Sequence, residues 1–284
     1  MRVCRFSSRR GVVSGLVGAA LLLVSAGGRA DDTRTPPPVP PLAPAPTLDF
    51  SVKTAPYRPI AGGAATLTVT LKPTTTPVGK EKHLLAGLFI VREDLGQLFF
   101  DEPAVTATDN TTFEDKISLP SGGEWRVFGS VMTLADPHSS VGTESIVGPV
   151  KVSIDGARTV REPMIPQMLP SVRVGTYTLS LKQPTRITTG DEQKLAFTLL
   201  DGQTQEVSDM DIWRDSLAHL VLVDRDAKTL LHITPDRSDP RTGRTGTLVF
   251  PTRFPKAGIW RGWVLFHRNA QVCSLPIVLR VLGH

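Results

Sequence analysis

Short apolar runs recur along the chain with polar turns between them, a pattern typical of β-strands. Residues 67–71 alternate apolar and polar side chains, as a strand with one buried face does. Residues 88–91 and 220–223 are continuously apolar, and each run is followed by a charged turn and a second apolar run. This order predicts buried strands that form hairpins. Further strands are predicted at residues 125–128, 260–266 and 275–281. Trp125 and Trp260 each follow a turn at equivalent positions, and each is expected to fill the space between two sheets.

The pattern occurs twice. Residues 86–103 (AGLFIVREDLGQLFFDEP) align without a gap with residues 218–235 (AHLVLVDRDAKTLLHITP), at an offset of 132. A second match pairs residues 120–126 (PSGGEWR) with residues 255–261 (PKAGIWR), at an offset of 135. A repeat of this length suits a duplicated domain. The sequence therefore predicts an all-β chain with two tandem immunoglobulin-like β-sandwich domains.

Proline-bearing segments divide the chain. Residues 31–46 (DDTRTPPPVPPLAPAP) predict an extended tether, and residues 156–171 predict a linker. The first domain then covers residues 47–155 and the second covers residues 172–284. No convincing amphipathic helix is found, although residues 208–216 permit one or two helical turns.

The first thirty residues have the pattern of a secretory signal peptide. A start rich in arginine precedes an apolar stretch at residues 12–26, and Gly28 and Ala30 predict cleavage after Ala30. The mature protein is thus expected to be periplasmic or secreted, without an integral membrane segment. Arg9 and Arg10 fit the twin-arginine pattern and also an ordinary Sec signal, so both export routes stay open.

Cleavage changes the charge and cysteine content. Residues 1–30 hold five arginines and no acidic residue, so 27 of the 32 basic residues remain against 27 acidic residues. A balanced charge gives no reason to expect a nucleic-acid partner. Cys4 is lost with the signal, which leaves Cys273 alone and predicts no intramolecular disulfide.

Motifs in the second repeat carry a family resemblance. They are a glycine turn (DGQ, residues 201–203), DIWRDSLAH at 211–219, LVLVDRD at 220–226, LLHITP at 230–235 and FPKAGIW at 254–260. Their order resembles the YtkA-like group of secreted bacterial β-sandwich domains over residues 175–282, and more faintly over residues 50–153. The resemblance implies metal handling outside the cytoplasm, with copper as the expected metal.

Carried over by position, the resemblance assigns two histidines. His219 matches the histidine that opens a strand in the family, and His232 matches the first histidine of its HxHP tail. The second tail histidine is replaced by Thr234. In the first repeat the three positions hold Gly87, Phe100 and Glu102, so the first repeat lacks these imidazoles.

The residues themselves also suggest a metal site. His219 and His232 are equally far from the predicted turn at residues 225–226, so they face each other across the hairpin. His267 and Cys273 flank another predicted hairpin and are two further candidate ligands, because imidazole binds Cu(II) and zinc and thiolate binds Cu(I). The alternative is that hydrogen bonds hold both histidines at the sheet surface without a metal.

Enzyme motifs are missing from the sequence. It contains no Gly-x-Ser-x-Gly, no glycine-rich phosphate loop and no HExxH. We therefore expect a non-catalytic binding or accessory protein of the bacterial cell envelope, with an envelope protein as partner and a metal site in the second domain. The competing hypothesis is a structural or protein-interaction module without a metal site. Trp213, in a polar loop, is either an anchor for the partner or part of a docked loop.

Overall fold

The fold is all-β, as predicted. A computed structural model describes residues 48–74, 82–105, 111–134, 143–160, 163–166, 170–184, 186–243 and 245–284. The predicted signal peptide and the tether lie outside these residues. No helix in the described ranges is long and apolar enough to cross a membrane.

Eight strands form the first β-sandwich. They are β1 (Leu48–Ala55), β2 (Ala65–Pro73), β3 (Lys82–Arg92), β4 (Leu98–Asp101), β5 (Ala104–Val105), β6 (Thr112–Ile117), β7 (Gly123–Leu134) and β8 (Thr143–Ile154). One sheet has the order β1-β2-β6-β5 and the other β4-β3-β7-β8. This is the Greek-key arrangement of an immunoglobulin-like sandwich.

Nine strands form the second β-sandwich. They are β9 (Ser171–Val174), β10 (Tyr177–Gln183), β11 (Ile187–Thr188), β12 (Glu192–Leu200), β13 (Ala218–Asp224), β14 (Leu230–Ile233), β15 (Thr247–Arg253), β16 (Gly258–Arg268) and β17 (Gln271–Leu282). The sheets have the orders β15-β12-β10-β9 and β11-β17-β16-β13-β14. The duplication in the sequence is therefore a duplication of the sandwich.

Each sandwich has its own apolar core, and a tryptophan fills the same place in both. Trp125 and Trp260 are fully buried. The Trp125 indole N–H donates to the Ser121 carbonyl at 3.2 Å, and the Trp260 indole N–H donates to the Lys256 carbonyl at 3.3 Å. Both acceptors lie four residues before the tryptophan. The core position expected for the two tryptophans is thus observed in both repeats.

A third core joins the two sandwiches. Within β3, Leu88 and Ile90 point into the first sandwich, while Phe89 and Val91 point outward into a cluster shared with the second sandwich. Strand β13 is buried along its whole length for the same reason. The continuous apolar runs therefore belong to sheets that are covered on both faces. The shared core consists of Phe89, Val91, Leu95, Leu98, Phe100, Phe128, Val221, Val223, Ala227, Leu230, Trp263 and Leu265.

The two repeats use the same face in this contact. At the offsets of 132 and 135, five first-sandwich residues of the shared core match five second-sandwich residues. Two members break the correspondence, because Phe100 matches His232 and Leu265 matches Ser130. The apolar part of the interface is thus nearly symmetric, and its exceptions are polar.

Candidate functional site at the sandwich interface

The structure brings His219 and His232 together at the edge of the shared core. His219 lies in β13 and His232 in β14, where His232 pairs in register with Val221. The histidines are thus diagonal neighbours on one face of the hairpin, two residues away from the directly opposed positions that the sequence suggests. His219 Nδ1 lies 2.9 Å from His232 Nε2, a hydrogen-bond distance.

The histidines belong to a chain of hydrogen bonds that crosses between the sandwiches. His219 Nε2 lies 3.0 Å from the Trp213 carbonyl oxygen, and His232 Nδ1 lies 2.7 Å from Glu144 Oε1 in β8. Ser130 donates to the same Glu144 oxygen at 2.5 Å. The hydrogen bonds therefore connect a first-sandwich carboxylate to a second-sandwich backbone carbonyl through two nearly coplanar imidazoles.

The acceptor groups determine which ring nitrogens of the two histidines carry a hydrogen. A carbonyl oxygen only accepts, so His219 carries its hydrogen on Nε2 and offers the Nδ1 lone pair. His232 must then donate from Nε2 to His219. When Glu144 is ionised, His232 donates to it from Nδ1 as well, so His232 is an imidazolium paired with a carboxylate.

Burial and charge both act on these groups. Burial of His219, which is 2% exposed, together with the charge of His232 lowers the pKa of His219 to about 4. His219 is thus neutral near pH 7, in agreement with its hydrogen bonds. Burial opposes ionisation of Glu144, but hydrogen bonds from His232 and Ser130 outweigh it, so the pKa of Glu144 is lowered.

His219 also fixes a loop that docks on the first sandwich. Residues 208–216 contain no helix; Trp213 and Ser216 instead pair across a tight turn. Arg214 and Asp215, inside that turn, have φ angles of 50° and 58°. The left-handed region costs about 1 kcal/mol or more per non-glycine residue, so outside contacts are needed to hold this turn. The hydrogen bond from His219 to the Trp213 carbonyl is one of them.

Arg214 provides the contact with the first sandwich. Its guanidinium carbon lies 4.1 Å from the centre of the Phe100 ring, and Nη1 lies 3.0 Å from Glu102 Oε1. A more distant contact of 3.9 Å joins Nη2 to Asp101 Oδ1. Trp213 packs edge-on to Phe100 with ring centres 5.9 Å apart. Trp213 is thus part of a docked loop, one of the two alternatives that the sequence leaves open.

Phe100 is the point where the two repeats meet. Its ring stacks on Phe89 at 4.4 Å and lies 5.7 Å from the His232 ring and 5.9 Å from the His219 ring. A Cβ at Gly87 would lie 2.6 Å from the Phe100 ring, so Gly87 leaves room for it. The first repeat thus places a phenylalanine and a glycine where the second repeat has its two histidines.

The other two candidate ligands do not join the pair. His267 Nδ1 contacts Asp211 Oδ2 at 2.9 Å, whereas Cys273 is 3% exposed inside the core of the second sandwich. Their strands pair His267 with Val272 and Cys273 with Phe266, so the two side chains point to opposite faces of the sheet. Of the four candidate ligands, the structure therefore brings two together, His219 and His232, and leaves His267 and Cys273 apart from them.

The histidine pair does not have the geometry of a metal centre. A tetrahedral ion with bonds of about 2.0–2.1 Å would hold two ring nitrogens roughly 3.3 Å apart, and each would have to present a lone pair. Here the facing nitrogens are 2.9 Å apart and share a proton, while His219 Nε2 is used by a carbonyl. In the described part of the chain, no group of three or more His, Cys, Asp or Glu side chains is able to hold a metal ion. Copper binding stays a prediction that this arrangement does not support.

Glu144, Arg214 and Phe100 were not recognised from the sequence as site residues. Glu144 is equivalent to Val272, by the pairing of Met132 with Glu144 and of His267 with Val272. Both Glu144 and Arg214 lie outside the two matching blocks, so the alignment of the repeats gives no signal for either residue.

A surface groove of about 370 Å³ reaches the Glu144–His232 pair from solvent. Its wall is mostly β14, and Arg253 of β15 adds a positive charge. The His232 side chain is 9% exposed and that of Glu144 is 29% exposed. His219 lies behind them and is 2% exposed, so the groove opens onto the Glu144–His232 end of the hydrogen-bond chain.

Asp115 is a second buried polar group near the interface. It occupies an inward position of β6, and its Oδ2 atom has no hydrogen-bond partner. Burial and the charge of Asp101 raise the pKa of Asp115 to about 6. Its carboxylate is therefore a destabilised charge at neutral pH, which Arg214 only partly compensates.

We expect Asp115→Asn to stabilise the protein near pH 7 and to change the pH dependence of unfolding. The folded-state pKa of about 6 exceeds the ordinary aspartate value of 3.8, so the folded protein binds more protons than the unfolded chain between these pH values. Asp115 therefore removes stability as the pH rises from 3.8 to 6. Allowing for partial hydration, we expect a gain of about 1–2 kcal/mol at pH 7, measured by urea unfolding from pH 3.5 to 7.5.

Glu114→Gln is the matched control for this prediction, since Glu114 is the exposed neighbour on the same strand. His219 contributes the opposite slope in all three proteins, because its lowered pKa makes stability fall as the pH drops from 6.5 to about 4. Equal pH profiles for the wild type and Asp115→Asn would contradict the assignment.

Residues 172–283 match the family described as Domain of unknown function (DUF8832). No curated protein matches the chain. The Escherichia coli adhesin FdeC is 16% identical, with a TM-score of 0.26, over 84% of this chain and 66% of that chain. The Yersinia pseudotuberculosis adhesin InvE is 11% identical, with a TM-score of 0.23, over 81% of this chain and 58% of that chain.

The chain spans less than two thirds of the length of the two adhesin structures. A mutant of Salmonella alpha-2-macroglobulin is 14% identical, with a TM-score of 0.25, over 82% of this chain and 16% of that chain.

Proposed function

We propose that this chain is an exported, non-catalytic accessory module of the bacterial cell envelope. Its two sandwiches act as one rigid unit that presents its outer surfaces to a protein partner. The shared core between the sandwiches is the observation that carries this proposal, because a large apolar contact suppresses the independent domain motion expected of loosely linked domains.

The hydrogen-bond chain supports a structural role for the histidines. It begins at the half-buried Glu144 and ends at the Trp213 carbonyl, so its buried end orders a loop. A general base would instead have to reach a nucleophile or a substrate. Ser130, the hydroxyl in the chain, is 2% exposed and already donates to Glu144.

Export and the family relation remain parts of the proposal. The signal-peptide pattern of residues 1–30 supports export, and N-terminal sequencing of the exported protein should then begin at Asp31. The YtkA-like resemblance suggests metal handling as the competing function, with the adjacent imidazoles of His219 and His232 as its only structural support.

Calorimetric titration with Cu(I), Cu(II) and Zn(II) separates the two functions. For the mature protein we expect no tight stoichiometric binding, because the proton shared by the two histidines and the Trp213 carbonyl occupy the nitrogens that a metal would need. The double variant His219→Ala/His232→Ala should give the same result. His267→Ala is the control, since His267 lies outside the histidine pair.

Tight binding at one ion per chain would overturn the structural proposal if it disappears in the double variant and persists in His267→Ala. Near-ultraviolet circular dichroism of each variant would show whether its core is intact. Binding that persists in both variants would place a metal elsewhere and would still leave the histidine pair without a metal role.

A further inference from the structure

The interface between the sandwiches combines two kinds of contact. The apolar contacts come from positions that are equivalent in the two repeats. Phe89 is equivalent to Val221, and Phe128 is equivalent to Trp263. Apolar contact of this kind is not directional, so these surfaces also suit pairing between two different copies of the chain. The polar contacts, in contrast, come from positions that differ between the repeats.

The polar contacts fit only a first sandwich against a second sandwich. Between two second sandwiches, His232 would meet Val272 in place of Glu144. Arg214 would meet Ile233 and Thr234, the equivalents of Asp101 and Glu102. A buried cation without its carboxylate is costly, so this pairing is disfavoured.

In a pair of two first sandwiches, the carboxylates would lack their partners. Glu144 would lose both histidines, since Phe100 and Gly87 stand at their positions. Asp101 and Glu102 would lose Arg214, which comes from the second sandwich. Glu144 would face Phe100, and the carboxylates would lose the imidazole and the guanidinium that they contact within one chain, so this pairing is disfavoured as well.

The linker is long enough to allow the sandwiches to part. Sixteen residues separate the end of β8 at Ile154 from the start of β9 at Ser171. Backbone hydrogen bonds hold residues 155–157 to the first sandwich and Pro170 to the second. The twelve residues between them span up to roughly 40 Å when extended, at about 3.3 Å per residue. A linker of this length gives the attached partner an effective concentration of about 1 mM, which favours the closed single chain in dilute solution.

We propose that two copies of this chain associate by exchange, with the first sandwich of one copy on the second sandwich of the other, and that Glu144 and Arg214 restrict the contact to this pairing. The partner is a second copy of the chain, and the surface is the shared core already described. The exchanged contact reproduces the contacts within one chain, so it needs no additional surface.

Two full-length variants with opposite defects test the proposal. Phe89→Asp disrupts the interface face of the first sandwich, and Trp263→Asp disrupts that of the second sandwich. Each variant alone should be monomeric in analytical ultracentrifugation. Their mixture should form a one-to-one dimer, because the intact first sandwich of one variant pairs with the intact second sandwich of the other.

A third variant tests the role of the polar contacts. Adding Glu144→Val to Trp263→Asp introduces the residue found at the equivalent position of the second sandwich. We expect the dissociation constant of the mixed dimer to rise by about 30-fold or more, since His232 would be buried without its carboxylate. Ser51→Asp in the same background is the control, because Ser51 is exposed in β1.

Absence of a mixed dimer between folded variants would overturn the proposal. Dimerisation of either single variant alone would overturn the selectivity assigned to Glu144 and Arg214. If an aspartate prevents folding, Phe128→Asp for the first sandwich and Val221→Asp for the second form a substitute pair. Phe128 is equivalent to Trp263, and Val221 is equivalent to Phe89. The mixed dimer is expected from that pair as well.

Discussion

Phe89→Asp is expected to separate the two sandwiches without unfolding the first one. Phe89 is fully buried, yet it points away from the core of its own sandwich and into the shared core. A carboxylate there would be buried in the shared core, where the His232 ring, 5.0 Å from the Phe89 ring, offsets only part of the loss of hydration, so closing the interface would cost about 3 kcal/mol or more. The variant is therefore expected to be an open chain in which both sandwiches stay folded.

Two measurements identify this state. Thermal unfolding followed by calorimetry should change from one transition to two, because the sandwiches no longer stabilise each other. Hydrogen exchange should accelerate in β4 and β14, the short edge strands at the interface, and remain slow in β2 and β12. Ser51→Asp places the same charge on an exposed position of the first sandwich and should leave both measurements unchanged.

The prediction would be contradicted if Phe89→Asp unfolds the whole chain in one transition at a lower temperature. That result would mean that the first sandwich depends on the shared core for its own folding. A variant with unchanged exchange in β4 and β14 would instead mean that the interface tolerates the carboxylate.

Trp260→Ala is expected to destabilise the second sandwich by about 3–5 kcal/mol. The indole is fully buried between the two sheets, and its removal leaves a cavity as well as an unpaired Lys256 carbonyl. Trp125→Ala should have the same effect on the first sandwich, because Trp125 has the same burial and an equivalent hydrogen bond. Urea unfolding followed by near-ultraviolet circular dichroism measures both losses.

Val160→Ala is the control for general effects of truncation, since Val160 is 91% exposed. Trp260→Phe retains most of the apolar volume and loses the N–H donor, so it should cost less than the alanine variant. A loss below about 1 kcal/mol for Trp260→Ala would show that the second sandwich closes around the cavity, which contradicts a rigid core.

The strand pattern of this protein was readable in its sequence. Alternation and short apolar runs reflect burial, and burial is decided locally by which residues face a sheet. The two matching blocks predicted the duplication, and the structure confirms an all-β chain of two immunoglobulin-like sandwiches. Trp125 and Trp260 were assigned to the cores because each follows a turn and opens a strand.

The register of the histidine hairpin could not be predicted from the number of residues on either side of its turn. The charged turn after β13 contains Ala227 with a φ of 52°, and it pairs Val221 with His232. Counting from the middle of the turn instead places His219 opposite His232. A shift of two residues keeps a side chain on the same face, so the histidines still meet, although diagonally.

Only the tertiary structure decided what the histidines contact. Glu144 is 88 residues from His232 along the chain, and Arg214 reaches Glu102 across the sandwich interface. No periodicity encodes such contacts, because they depend on how two separately folded sheets pack. The sequence by itself determined two sandwiches with continuous apolar runs at residues 88–91 and 220–223. The packing of the sandwiches placed the His219–His232 pair in a hydrogen-bond chain between them.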